Sequence, residues 1–354
     1  MKIQKKYLMD VVAIRLSFIF LLVVYHALCI FTGAWDSPYT PAVSIPSYDW
    51  LGTLIHLSQM EALVFISGLL LGYYALKQPN ALSFNSCVVK KAKRILLPCL
   101  LFGIIYYVMF YDLQASWYNI IWKLLNGCGH LWFLPMIFWC FVLVYLIEIT
   151  PPSIRQISDN KKYKLILFVA LCCSVLNPFM FVPLGFGRAF DFFIYFFIGY
   201  CIQTKRFSLP AVKRSNISIA IMLFAISFPL FMAIRTYVQV GDSIMEKASM
   251  LILKNICHTT NALSAIYLIY SFANAESVLS FLSDKPILIT LSGYCYGVYI
   301  YQQFILKIIY YQTQLPFIVN AYWLPWIATL ATIVLSLFLC HFTLKTKIGR
   351  FLIG

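Results

Sequence analysis

Ten runs of mostly apolar residues, each about long enough to cross a bilayer, follow one another along this chain and constrain its fold more than any other feature. Crossing the hydrocarbon core takes about 20 apolar residues as a helix. Helices are therefore expected near 11–31, 51–76, 95–113, 131–149, 163–184, 187–203, 215–238, 251–273, 286–311 and 323–344. Inside lipid a helix satisfies its own backbone polar groups, and a lone strand does not. The expectation is an all-α, polytopic integral membrane protein of about ten transmembrane helices. The connections are too short for a soluble domain, so residues 1–354 read as a single transmembrane domain.

Composition supports lipid over water as the solvent of these helices. The chain is 62% hydrophobic and 11% charged, against about 25% charged in soluble domains. Its net charge of +15 raises the question of nucleic acid, but the basic residues fall in short clusters between apolar runs, as membrane topology requires. No nucleic-acid partner is expected. The eleven cysteines lie mostly inside apolar runs, where they act as small hydrophobes. Cys128 stands near His130 with no second pair at ligand spacing, so no metal site and no bound cofactor are expected.

The cationic clusters also orient the chain. With the N-terminus inside, alternate connections carry twenty Lys and Arg, at Lys2–Lys6, Lys77–Arg94, Arg155–Lys164, Lys205–Arg214, Lys285 and Lys345–Arg350. The opposite side receives five: Lys123, Arg188, Arg235, Lys247 and Lys254. That asymmetry places both termini in the cytoplasm and the protein in the cytoplasmic membrane. The first run is too long for a cleaved signal, so it reads as a retained helix.

Ionisable side chains within spans are expensive and point to function. Arg15 and His26 stand eleven residues apart in the first run. Eleven steps of about 100° close three turns to within roughly 20°, so both leave one helix face about 16 Å apart along the axis. A permanent cation and a titratable imidazole thus share a face. The plainer readings are an arginine that snorkels to the inner headgroups and a histidine that only packs. Lys307 reads as snorkelling outward, and Arg188 and Asp191, three apart, as pairing with each other. Glu61 lies in mid-helix, with His56 about 140° away around the axis.

Several segments resemble one family in order. Arg15, ten residues and then His26 in the first membrane helix is the signature of the acyltransferase family 3 membrane proteins. Phe65-Ile66-Ser67-Gly68 resembles its F-x-S-G segment, and Lys91-Ala92-Lys93-Arg94-Ile95-Leu96-Leu97-Pro98 its basic segment entering the third helix. His130-Leu131-Trp132-Phe133-Leu134 resembles its H-L-W-F-L. Ser292 to Gln302, through Tyr296-Gly297-Val298-Tyr299, resembles its late S-Y-G-I-Y-L-I-H. The departures are Gln302 where the family has His, and Gln59 and Glu61 where it often has His and Pro ahead of the Ser-Gly.

The resemblance implies a membrane O-acyltransferase. It would move an acyl group, most often acetyl, from cytoplasmic acyl-CoA to a hydroxyl of an extracytoplasmic or lipid-linked glycan. Acetyl-CoA is then a donor substrate, and the partners are acyl-CoA, the glycan and the bilayer. His26 is expected as general base or as transient acyl carrier, with Arg15 beside it. Arg94, Lys91, Lys93 and Lys90 suit the anionic donor, and Arg94 and Arg15 most of all because guanidinium forks onto phosphate. Glu61, His130, Trp132, Ser67, Tyr299 and Gln302 are candidates to hold or orient the acceptor. The competing class is a polytopic transporter or flippase of a glycan or lipid-linked substrate. It would share the helix count and usually shows internal repeats, and none is evident in this sequence.

Overall fold

The structure is a computed structural model of the 354-residue chain, and it describes residues 2–78, 80–149, 159–176, 182–206, 213–238, 243–283 and 285–354. The basic segment around Arg155 and residues 177–181 of the fifth apolar run lie outside the described residues.

The described residues are helical, with no strand among them. In chain order the helices are α1 (Lys2–Thr32), α2 (Pro46–Lys77), α3 (Leu97–Phe110), α4 (Trp117–Asn126), α5 (Phe133–Ile149), α6 (Asp159–Leu176) and α7 (Phe186–Gln203). There follow α8 (Arg214–Tyr237), α9 (Ile244–Ala273), α10 (Glu276–Ser283), α11 (Pro286–Tyr311), α12 (Leu315–Ile318), α13 (Leu324–Thr343) and α14 (Lys347–Ile353). Among the described residues each of the ten apolar runs holds one long helix. Six helices among the described residues are long and apolar enough to cross a membrane: Met9–Thr32, Pro46–Lys77, Asn85–Phe110, Gly129–Ile149, Arg214–Tyr237 and Leu324–Thr343. The protein is a multi-pass membrane protein on these grounds. α11 falls outside the six because it is rich in Tyr and Gln, and many of its side chains, including both glutamines, are buried against protein.

Local chemistry explains the boundaries. α1 has neither Gly nor Pro in its 31 residues and stops at Gly33, whose φ of +73° is the left-handed conformation that ends helices. Proline stands in the first turn of α2, α3, α11 and α13, where its missing N–H costs nothing. Two π-helical stretches, Asn85–Val89 and Ala92–Leu96, precede α3. They carry the basic cluster, which was expected in the connection ahead of the helix at 95–113, as helix continuous with α3. α4 was not expected as a helix. It turns Trp117, Tyr118, Ile121, Trp122 and Leu125 outward, the exposed apolar face of a helix that lies in an interface.

The chain divides into two compact units: residues 1–60 with 267–354, and residues 61–266. The divisions fall inside α2 and α9.

In the first unit α1, α11 and α13 pack against one another. A shared apolar core includes Ala27, Leu28, Leu306, Tyr310, Leu324 and Ala328. The Tyr310 hydroxyl donates to the Ala27 carbonyl at 2.6 Å. A Cβ on Gly297 would fall on Cys340 Sγ, so α11 and α13 touch closely there.

In the second unit α7 packs on α5 and α6, and the C-terminal half of α2 crosses α7 backbone to backbone. A Cβ on Gly68 would fall on the Phe196 carbonyl, and one on Gly199 on the Phe65 carbonyl. Small residues that admit this approach are a membrane packing device. At one end of the unit the Tyr163 hydroxyl donates to Glu148 at 2.6 Å, and Arg206 pairs with Glu148 at 3.3 Å and with the Tyr163 hydroxyl. These contacts tie α5, α6 and the end of α7 together.

Candidate functional site

The first unit holds the Arg-His pair. Along α1, Phe18, Leu22 and His26 are 1%, 1% and 8% exposed, and Arg15 is half-buried, whereas Ser17 and Phe20 face outward. These positions form one stripe at helical spacing, so Arg15 and His26 leave the inward face. The Arg15 guanidinium is within electrostatic reach of the Cys295 thiol on α11. The His26 imidazole stacks on Trp35, with centroids 5.8 Å apart and planes at 18°. Tyr25 lies 5.2 Å from His26 and stacks on His56 at 4.8 Å.

The Lys307 ammonium stands 5.7 Å from the centre of the Trp35 ring, so one indole is shared by an imidazole and a cation. Trp35 comes from the Pro-rich connection after α1 and meets Tyr310 edge-on. Nothing in the sequence pattern marked it.

The interior of this unit is unusually polar for a bundle in lipid. Gln59, Gln302, Thr329, Thr332 and Ser336 are buried, and neither the two amides nor the three hydroxyls have a hydrogen-bond partner among the described residues. Thr329, Thr332 and Ser336 follow one face of α13. Buried polar groups are ordinarily satisfied, and a group of unsatisfied ones marks an interior suited to water or to a polar ligand. Gln302 stands where the resembling family has His, and its amide remains available. Tyr299 is buried and stacks on Tyr296.

The remaining candidates lie in the second unit. Lys90, Lys93 and Arg94 are exposed on the π-helical segment. Lys91 is turned onto Phe141 of α5, its ammonium 4.0 Å from the ring centre. The basic cluster is therefore three outward cations and one held against an aromatic ring. Ser67 donates to the Leu63 carbonyl within its own helix at 2.9 Å, so its hydroxyl is already used. His130 is 3% exposed in the short turn Gly129–Trp132 and meets Tyr106 edge-on. Its ring is packed against protein. Burial pushes the Cys128 thiol up to about 11, so it stays protonated near neutral pH. Among the described residues no three His, Cys, Asp or Glu side chains are grouped to hold a metal ion.

One pairing escaped the sequence. Glu61 is 2% exposed, and its Oε1 lies 2.8 Å from His258 Nε2 on α9. The partners are 197 positions apart, so no helical spacing announces them. Their contact explains how a carboxylate is tolerated in mid-helix. Glu61→Ala is expected to lower stability by about 1–2 kcal/mol, with Glu61→Gln recovering most of the loss. Thermal unfolding of the detergent-solubilised protein, run as a double-mutant cycle with His258→Ala, measures it. Strictly additive losses would show that the pair does not interact.

The family comparison decides between the classes left open by helix count. A family model described as an acyltransferase domain matches residues 10–344. The chain belongs to acyltransferase family 3. The match begins five residues before Arg15 and runs to the end of α13, so it spans nearly all the helices just described. No curated protein and no solved structure matches the chain. Family membership makes it a membrane acyltransferase, with a bilayer, an acyl donor and an acceptor as its partners.

Proposed function

We propose that this acyltransferase moves an acetyl or similar acyl group from cytoplasmic acyl-CoA to a hydroxyl of an extracytoplasmic or lipid-linked glycan. The observation that carries the reading is His26 on the buried stripe of α1 with Arg15 three turns away, in a unit whose interior polar groups are left unsatisfied. An alcohol is a poor nucleophile at neutral pH, and an imidazole is the side chain suited to take its proton.

Two routes use the same ring. As base, His26 accepts the hydroxyl proton while the oxygen attacks the thioester carbonyl. The carbon–sulfur bond breaks, and coenzyme A leaves as a thiolate that regains the proton. As carrier, a ring nitrogen attacks the thioester first and expels the thiolate. The alcohol then attacks the acyl-imidazole, forming the ester and restoring the ring. Trp35 against one face and protein around the rest would hold the imidazole in a single orientation.

Family membership and ordered charge support the polarity: ten crossings of the cytoplasmic membrane, both termini inside, and Lys90, Lys93 and Arg94 at the cytoplasmic mouth. Coenzyme A carries phosphates, which these cations would attract. The separation of about 16 Å between Arg15 and His26 is comparable to an extended pantetheine arm.

Purified surface polysaccharide from cells with and without the protein, compared by mass and NMR, is expected to differ by ester-linked acyl groups. Identical spectra would defeat the reading. For donor contacts, Arg94→Ala and Arg15→Ala are each expected to raise the KM for acetyl-CoA about tenfold or more, the loss of a charge-assisted hydrogen bond. The acceptor KM should change little. A rise confined to the acceptor would reverse the assigned sides.

A further inference from the structure

A second recess lies in the 61–266 unit, away from the Arg15–His26 stripe in sequence and built from different elements. It is a cavity of about 470 Å³, within the range of small-molecule sites. Its wall includes Tyr111 after α3, Trp122 and Asn126 of α4, Trp132 before α5, and Arg188 in the first turn of α7. Glycine makes the curvature. Gly127 and Gly185 both line it with φ of +84° and +69°, and a Cβ on Gly127 would strike the Leu131 carbonyl. Asn126 braces the wall, donating to the Trp122 carbonyl at 2.9 Å and accepting from the Gly185 N–H at 3.4 Å.

The chemistry of this wall is specific. Trp122, which stacks on Tyr118, lines the recess with an indole of the kind that packs against the C–H faces of a pyranose, while Tyr111 is already flanked by Tyr107 and Lys123. The Arg188 guanidinium lies over Trp132, 4.4 Å from the ring centre, and stacking by its face leaves its N–H edges available. Lys123 stands 4.2 Å from the centre of the Tyr111 ring. The N-terminus of α7, the positive end of an 18-residue helix, opens at the same place. Among the described residues no carboxylate lines the recess. Asp191, one turn further along α7, acts electrostatically on Arg188, but five N–H donors exceed what one carboxylate can take. An aromatic face beside a net positive rim selects a ring that carries negative charge.

We propose that this recess binds an anionic sugar, a pyranose bearing a carboxylate or phosphate, with its ring against Trp122 and its anion on Arg188. The proposal names the acceptor's chemical class and rests on the reading above only for placing the recess on the extracytoplasmic side.

Binding to the full-length protein in nanodiscs tests it without turnover. The probes are a hexuronic-acid oligosaccharide, the same oligosaccharide with its carboxyls reduced to alcohols, and polyprenyl phosphate, which has the anion but no ring. The acidic oligosaccharide is expected to bind at least tenfold tighter than the reduced one. Arg188→Gln should bring the two to parity, and Trp122→Ala, at a half-exposed position, should weaken both. Polyprenyl phosphate should not compete. Equal affinity for the acidic and reduced forms, indifference to Arg188→Gln, or full displacement by polyprenyl phosphate would each overturn the proposal. The two readings fail separately, because binding is measured with no acyl donor present and CoA release can be followed with no acceptor.

Discussion

His26→Ala is expected to abolish transfer of labelled acetyl to surface glycan, by a factor of about 10² to 10⁴ if the ring acts as base and more completely if it carries the acyl group. The side chain is buried beside Trp35, Tyr25 and the α11 helix, and the exposed His56, which stacks on Tyr25, is the control: His56→Ala should leave transfer largely intact. The two routes separate in one experiment. A general base is needed when acceptor is present, and donor alone gives little CoA release. An acyl carrier releases one equivalent of CoA per protein without acceptor, and the label stays on the chain until hydroxylamine removes it. His26→Gln fills the site with a polar group of similar volume, which controls for packing. Unchanged acetylation in a folded His26→Ala variant would remove the catalytic assignment while leaving family membership untouched.

The second large effect is on folding. Gly68→Val and Gly199→Val are each expected to cost about 3 kcal/mol or more, at the upper end of overpacking penalties. The reason is that the atoms in the way are backbone. The Cβ at either position would sit on a carbonyl of the facing helix, Phe196 for Gly68 and Phe65 for Gly199. A flexible side chain could rotate aside, but a carbonyl moves only with its helix. Gly293, with nothing near its Cβ position, is the control on α11, and Ala there should be tolerated. Fluorescence-detected gel filtration of tagged variants gives the comparison. Gly68→Val eluting and melting like the parent would show that α2 and α7 do not cross as described.

Much of the fold was readable before any coordinates. Apolar length alone located all ten long helices, because the requirement to satisfy backbone groups in lipid is local to each run. The inward orientation of Arg15 and His26 was likewise a matter of helical phase, and the exposure pattern of Phe18, Leu22 and Phe20 agrees with it. Where the sequence was silent, the added interaction came from elsewhere in the chain. The Lys307 ammonium stands near Trp35, 272 positions away by their numbering, and Arg188, besides interacting with Asp191, lies over Trp132. His130 meets Tyr106 edge-on. The amphipathic α4 hid because its ten residues are too few to register as a span.

The sequence by itself determined that this is a helical membrane protein of acyltransferase family 3, and that Arg15 and His26 leave one face of α1. Periodicity, charge placement and motif order are properties of neighbouring residues, and they survive without knowledge of the packing. Only the tertiary structure decided that Glu61 meets His258, that Trp35 stacks on His26, and that two aromatic segments and the start of α7 enclose a cationic recess. Those contacts join residues far apart along the chain, and no spacing rule reaches across the loops that bring them together.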